Sequence, residues 1–312
     1  MKLKIPILSL LLLNVLGATA QAVLHDNKTT MMDELATMDN LPSWKSAVMY
    51  EVFVRSFADG NADGIGDLKG LTQNLEYIKN LGADGMWMMP ISPASSYHKY
   101  DVVDYFGIDP EYGTMEDFKR FVEKSHALGM RVVIDLVLNH CGSKHPYFID
   151  ASGNKQSKYR DWFVWSDTSK ITTEKQNWYY SKGTNGKYIQ GEKYYGFFWS
   201  EMPDWNFDNP QVEAYMISIG KHWLDLGVDG FRLDAAQHLY PNVSDPKTHA
   251  FWRKFRKTMQ GIKPDFYMVG EVYNAKSVVA PYLQGGMHAA FNFDLAEGIC
   301  KSVVNGKDSG LV

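Results

Sequence analysis

From about residue 44 onward, apolar positions fall into two alternating rhythms. Val48–Val54 (VMYEVFV) is a nearly unbroken apolar run of the kind a buried strand carries. Leu68, Leu71, Leu75, Ile78 and Leu81 then recur at three and four, the spacing of an amphipathic helix. Gly82 can end that helix in a left-handed cap. Gly85–Met89 reads as strand again. Thr114-Met-Glu-Asp117 has the form of a capping box, and Phe118, Phe121, Val122, Ser125 and Leu128 supply the inner face of the helix it opens. Val132–Leu138, β-branched and apolar, is a third strand.

After His140 the rhythm breaks. Tyr147–Trp205 holds 16 of the chain's 43 aromatic residues, so this stretch reads as a small subdomain with an aromatic core. Exposed Trp and Tyr also stack on the flat CH faces of sugars, and some of Trp178, Tyr179, Trp199 and Trp205 are expected to line a cleft. The alternation then resumes with a helix from about Pro210, strand Val228–Asp234, a helix from about His249, strand Phe266–Val272 and a last short strand at Ala289–Phe293.

An internal echo ties the two parts together. Leu81-Gly-Ala-Asp-Gly85 and Leu226-Gly-Val-Asp-Gly230 each lie between a helix and a strand. Repeated strand–helix units imply a parallel sheet. About six such units point to an incomplete α/β (β/α)8 TIM barrel with a subdomain inserted after strand three. A doubly wound sheet is the alternative, although no G-x-G-x-x-G follows the first strand to support a dinucleotide site. The division read from the sequence is 41–140 and 206–312 as barrel, 141–205 as insertion, 21–40 as leader and 1–20 as signal peptide.

That signal reading rests on Lys2 and Lys4, the apolar run Ile5–Leu16 and the A-x-A site Ala18-Thr19-Ala20, with cleavage before Gln21. The competing reading is a membrane anchor, but the run is shorter than the ~20 residues that span a bilayer. Export gives a secreted or periplasmic protein with no transmembrane segment after signal removal. It also permits a Cys141–Cys300 disulfide, with two free thiols as the alternative. A formal net charge of -4 without a basic run argues against a nucleic-acid partner.

Barrels of this class collect function at the C-terminal strand ends. There the chain places Asp135-Leu-Val-Leu-Asn139-His140, Arg232-Leu-Asp234 and Gly270-Glu271. Alternation along a strand sets Arg232 and Asp234 on one face. A structural Arg–Asp ion pair is one reading of any single end. Three ends bearing acids or amides suit glycoside hydrolysis, which needs one proton-donating acid and one carboxylate at the sugar carbon. Arg232 would keep Asp234 ionised as a nucleophile, and Glu271, expected in a drier setting, would be the general acid.

DLVLNH, GFRLDA and GEVY, with MWMMPISP, YHKYDVVDY and MPDWNFDNP, resemble the ordered signature regions of the alpha-amylase family of glycoside hydrolases, over about residues 44–300. The resemblance implies that Asp234 forms a β-glycosyl-enzyme, that Glu271 is the acid/base and that Arg232 orients Asp234. It further implies that Tyr100, Asp101 and His140 hold the sugar at the cleavage subsite, Tyr100 by ring stacking, with His98 a weaker contact. Lys99 stands where members usually have glycine, so the rim of that subsite is expected to differ. The family's third acid, in an Asn-His-Asp motif at a seventh strand, has no counterpart before Val312. Nor have strands seven and eight or the C-terminal β-sandwich. The expectation is that this chain is a piece of a longer protein and is inactive and aggregation-prone as written.

Asp59-Gly-Asn61-Ala-Asp63-Gly-Ile65-Gly-Asp67 spaces oxygen donors at alternate positions like the first half of an EF-hand loop, Ile65 through its carbonyl. Position twelve is Gly70, so the full module is absent. Ca²⁺ is the expected ion, with Mg²⁺ or a plain solvated turn as alternatives; the resemblance adds that members with this loop bind Ca²⁺ there. The function expected is endo-cleavage of α-1,4 bonds in starch or maltooligosaccharides, an α-glucan substrate. An α-1,6-glucosidase, α-glucosidase or glucan transferase of the same family, or a non-catalytic glycan-binding homologue, remains as alternative; MPDWN resembles the MPDLN-type motif of intermediate members.

Overall fold

The computed structural model describes residues 43–44, 46–167, 177–182 and 188–308. The signal segment 1–20 and the leader 21–40 lie outside these residues. In chain order the first part holds β1 (Met49–Val52), α1 (Val54–Phe57), α2 (Leu68–Gln73), α3 (Leu75–Asn80), β2 (Gly85–Met88), α4 (Met115–Ala127) and β3 (Arg131–Leu136). The insertion contains α5 (Pro146–Gly153), β4 (Trp165–Asp167), β5 (Trp178–Lys182) and β6 (Tyr188–Tyr195). Then follow α6 (Pro210–Asp225), β7 (Gly230–Leu233), α7 (Pro246–Ile262), β8 (Tyr267–Gly270), α8 (Lys276–Leu283), β9 (Ala289–Ala290) and α9 (Phe293–Asn305).

Six strands make one sheet in the order β1-β2-β3-β7-β8-β9, every neighbour parallel. This is the sheet of an incomplete (β/α)8 barrel. The strands read as apolar because both faces are covered: all six residues of β3 and all four of β7 are buried. The insertion forms its own antiparallel sheet, β4-β6-β5, after strand three. Its backbone is tied to the barrel where Cys141 N bonds Pro203 O and Trp205 N bonds Asn139 O.

The echoed Leu-Gly-x-Asp-Gly turns perform one task twice. Asp84 Oδ2 accepts the Val48 amide at 2.9 Å, and Asp229 Oδ2 accepts the Val132 amide at 2.8 Å. Each aspartate thus fastens the start of the preceding strand to the start of its own. Asp229 is buried, and His126 and Lys263 meet its carboxylate.

Several elements depart from their expected bounds. β1 stops at Val52 because the chain turns into α1 at Val54. The amphipathic helix expected over 68–81 divides at Asn74, whose Nδ2 bonds Gly70 O at 2.8 Å. The periodicity survives the break, since Leu68, Leu71, Leu75 and Ile78 are all buried, but Leu81 is exposed. Gly82 has φ 90, as its cap requires. The Thr114–Asp117 capping box forms in both directions. α7 begins at Pro246 rather than near His249, because Asp245 caps Lys247 N at 2.8 Å and proline suits the first turn. α8 was not anticipated. The last strand is only Ala289–Ala290, since Asn292 already caps α9. Cys141 is buried and Cys300 exposed, both as free thiols. No helix among the described residues is long and apolar enough to cross a membrane.

Candidate active site

Strand register concentrates charge at one level of the sheet. Asp135 on β3 pairs with Arg232 on β7, and Arg232 pairs with Val269 on β8. Asp234 and Glu271 are the residues that leave the C-terminal ends of β7 and β8. Ala235 follows with φ 46, a backbone that non-glycine residues rarely adopt. Its amide donates to Glu271 Oε2 at 3.0 Å.

One guanidinium serves three carboxylates. Arg232 Nη1 donates to Asp135 at 2.9 and 3.0 Å and to Asp234 Oδ1 at 2.6 Å; Nη2 lies 3.1 Å from Glu271 Oε2. Trp87 Nε1 and Tyr100 Oη also donate to Asp135 Oδ2, at 3.3 and 3.1 Å. The rings of Trp87, Tyr100 and Phe291 surround the guanidinium at 5.2, 5.8 and 5.9 Å. Asp135 stood at a strand end in the sequence but was not assigned a role. Only the β3–β7 register shows it as the main anchor of Arg232.

With one cation for three acids, burial is only partly compensated. Burial and the neighbouring Asp234 charge raise Asp135 to about 7, against the pull of Arg232. Burial raises Asp234 as well, opposed by the charge and hydrogen bond of Arg232. The expected contrast of settings is reversed. Glu271 has the wetter carboxylate, 31% exposed against 9% for Asp234, because it lies past the end of β8 beside the short β9, while Asp234 sits between β3 and β8.

The residues expected to hold a sugar gather around this cluster. His140 is buried, and desolvation lowers its ring to about 4, so it is neutral near pH 7. Asn139 Nδ2 is committed to His238 O at 2.7 Å, which leaves Asn139 Oδ1 to accept from His140 Nδ1 at 3.0 Å. His140 Nε2 lies 3.2 Å from Tyr100 O. Asp101 accepts from the Ser96 amide and hydroxyl, and His98 Nδ1 meets the same hydroxyl at 3.0 Å. Gly142 permits the closeness, since a Cβ there would collide with Asp101 O. Lys99 does not form a rim: its side chain points inward and is buried.

Aromatics of the insertion divide by exposure. Trp205, expected among the cleft residues, is core, packed on Phe163 at 4.8 Å. Trp178 and Tyr179 are half-buried against Tyr195 and Tyr194, and Trp199 is exposed. Phe198, which the sequence reading did not single out, is exposed and lies edge-on to His140 at 5.0 Å. Its aromatic-rich surroundings hid it, because composition alone does not separate core rings from cleft rings.

The acidic loop lies apart from these residues, between α1 and α2. Asp59 accepts from the Asn61, Ala62 and Gly64 amides, which hold its exposed carboxyl below the usual range, Gly64 foremost. Asn61 and Asp63 bond each other, and Asp63 accepts from Ile65 N at 2.8 Å. The donors are all oxygen, which fits a hard cation. Asp67 fits less well: it is buried, accepting from Gly60 N and capping α2 through Gly70 N at 2.6 Å. Among the described residues no three His, Cys, Asp or Glu side chains converge as a metal site.

The family model described as alpha amylase, catalytic domain, matches residues 51–307. "Alpha-amylase 3" of Dictyoglomus thermophilum is 46% identical over 273 residues, covering 88% of this chain and 52% of that protein. "Trehalose synthase/amylase TreS" of Mycolicibacterium smegmatis is 38% identical over 290 residues, 86% of this chain and 48% of that one. The crystal structure of an alpha-amylase from H. orenii superposes with a TM-score of 0.76 at 45% identity, covering 83% of this chain and 54% of that chain. The chain spans about half the length of the curated relatives it matches.

Proposed function

The chain belongs to the alpha-amylase family, and on that premise we propose that it is a secreted, retaining glycosidase cleaving α-1,4 bonds of starch or maltooligosaccharides. The observation that carries this reading is the sharing of Arg232 by Asp234, Glu271 and Asp135 at adjacent strand ends. Asp234, aimed by Arg232, attacks the anomeric carbon while Glu271 gives its proton to the glycosidic oxygen, and that C–O bond breaks. The product is a β-glycosyl ester on Asp234 and a free sugar hydroxyl. Glu271, now ionised, takes a proton from water, which attacks the same carbon and releases Asp234.

Arg232 favours ionised Asp234 against burial, which favours the neutral acid. Tyr100 stacks on the ring of the bound sugar, Asp101 and His140 hold its hydroxyls, and His98 contributes at the edge. Phe198 extends an apolar wall beside His140. At the loop, Ca²⁺ would be held by Asp59, Asn61, Asp63 and the Ile65 carbonyl, with Asp67 fixing the loop to α2; it would stiffen the turn between α1 and α2.

Initial rates on starch, maltotetraose and isomaltose test the assignment. Fast release from the first two and little from isomaltose is expected. Preferential cleavage of isomaltose, or exclusive formation of transfer products, would overturn the α-1,4 hydrolase reading.

A further inference from the structure

Lys99 meets two conditions that lysines rarely meet together. Its φ is 63, a left-handed backbone costly for any residue with a Cβ, and its side chain is 2% exposed. Such a backbone persists where the surroundings over-determine it. Nζ lies 2.7 Å from Asp109 Oδ2, 2.9 Å from Glu111 Oε2 and 4.8 Å from the centre of the Tyr112 ring. These partners are themselves fixed. Asp109 Oδ1 accepts the Glu111 amide at 2.9 Å, Asp109 N bonds Ile91 O, and Tyr112 O accepts from Leu68 at the start of α2. Arg55 Nη1 holds Glu111 Oε2 from the other side at 2.6 Å.

The opposite side of the turn faces the carboxylate cluster. Lys99 N and Asp101 both meet the Ser96 hydroxyl, and Tyr100 N meets His98 Nδ1 at 3.2 Å. Tyr100 then reaches Asp135, and its carbonyl faces His140. A turn this short transmits any tilt at residue 99 directly to residues 100 and 101. We propose that Lys99 is a positioning residue: its buried ammonium, clasped by Asp109 and Glu111, locks residues 96–101 in the left-handed turn that aims Tyr100 and Asp101 at the cleavage subsite. It touches no substrate. The proposal rests on the reading of Asp234 and Glu271 as glycosidase acids.

The test uses the double variant Lys99→Met/Asp109→Asn, which removes both buried charges so that neither is left alone. Glu111→Gln, on a side chain 41% exposed, is a milder second variant should the double variant not fold. Two quantities are read on each folded protein: kcat and KM for maltotetraose, and amide hydrogen exchange over residues 97–103. In an active parent KM decides. A rise of about tenfold or more in the double variant, smaller in Glu111→Gln, with kcat less affected, is expected from a misaimed binding pair. An unchanged KM in a folded variant overturns the proposal. A parent that cleaves no glucan bears on the glycosidase reading and not on Lys99, and exchange then decides. Faster exchange over 97–103 in the variant supports the lock, and unchanged exchange overturns it.

Discussion

Arg232 is the residue on which the site turns. It replaces three separate neutralising partners by one planar fork, and lysine offers no such geometry. The acids around it are therefore unequal in setting. Asp234 is enclosed and oriented, and Glu271 is open enough to exchange protons with water. Glu271→Gln should leave folding intact, since its carboxylate is 31% exposed, and lower kcat by about 10²–10⁴-fold, the usual worth of a general acid. Steady-state rates with a melting curve on the same sample check this; near-normal turnover would remove Glu271 from the role. At this scale the sequence was informative about identity and poor about environment. Asp234 and Glu271 announce themselves at strand ends. The pairing of Asp135 with Arg232 is a contact over 97 positions, fixed by register and invisible to local pattern. Exposure of Glu271 depends equally on what packs beyond β8.

Among the elements, caps and turns govern where side chains arrive. α5 opens with His145 as its cap, its Nδ1 accepting the Tyr147 amide at 3.2 Å, buried among Tyr105, Tyr147 and Trp205. Desolvation lowers this ring from 6.5 to about 4. The folded state therefore binds fewer protons than the unfolded one between those values, and its contribution to stability falls as pH drops from about 6.5 to about 4. His145→Asn keeps a capping acceptor without the titration. Thermal midpoints of the two proteins should converge in relative terms as pH falls through that window, the parent losing more; parallel pH profiles would contradict it. The loop between α1 and α2 yields a second prediction. If the loop holds Ca²⁺, EDTA should lower the melting temperature and added Ca²⁺ restore it, while Asp59→Asn should weaken that response. A melting curve indifferent to EDTA would remove the ion. The helix break at Asn74 and the whole of α8 escaped the sequence reading for different reasons. Asn74 keeps the helical spacing of buried leucines across the break, and α8 carries Pro281 inside a short helix that pattern alone reads as loop.

On the scale of the molecule, the alternating units and the Leu-Gly-x-Asp-Gly echo were enough to read a parallel barrel sheet, because strands buried on both faces write themselves as apolar runs. The barrel strands pair in their order along the chain, and the insertion after strand three shows as a loss of rhythm. Among the described residues β1 and β9 each have a single ladder neighbour, and Leu295, Ile299, Val303 and Val304 of α9 are exposed. Open edges and apolar patches promote association. The 312-residue polypeptide should therefore self-associate as its concentration rises, which sedimentation velocity would detect; a concentration-independent monomer would contradict this. A retaining mechanism requires that Asp234 become covalently glycosylated. The most direct measurement is mass spectrometry of peptides from protein treated with a fluorinated α-glucosyl fluoride, whose electron-poor ring slows release of the ester. A single glucosyl adduct is expected on the peptide carrying Asp234, absent from Asp234→Asn. An adduct on another residue, or none in a protein that turns over starch, would contradict it.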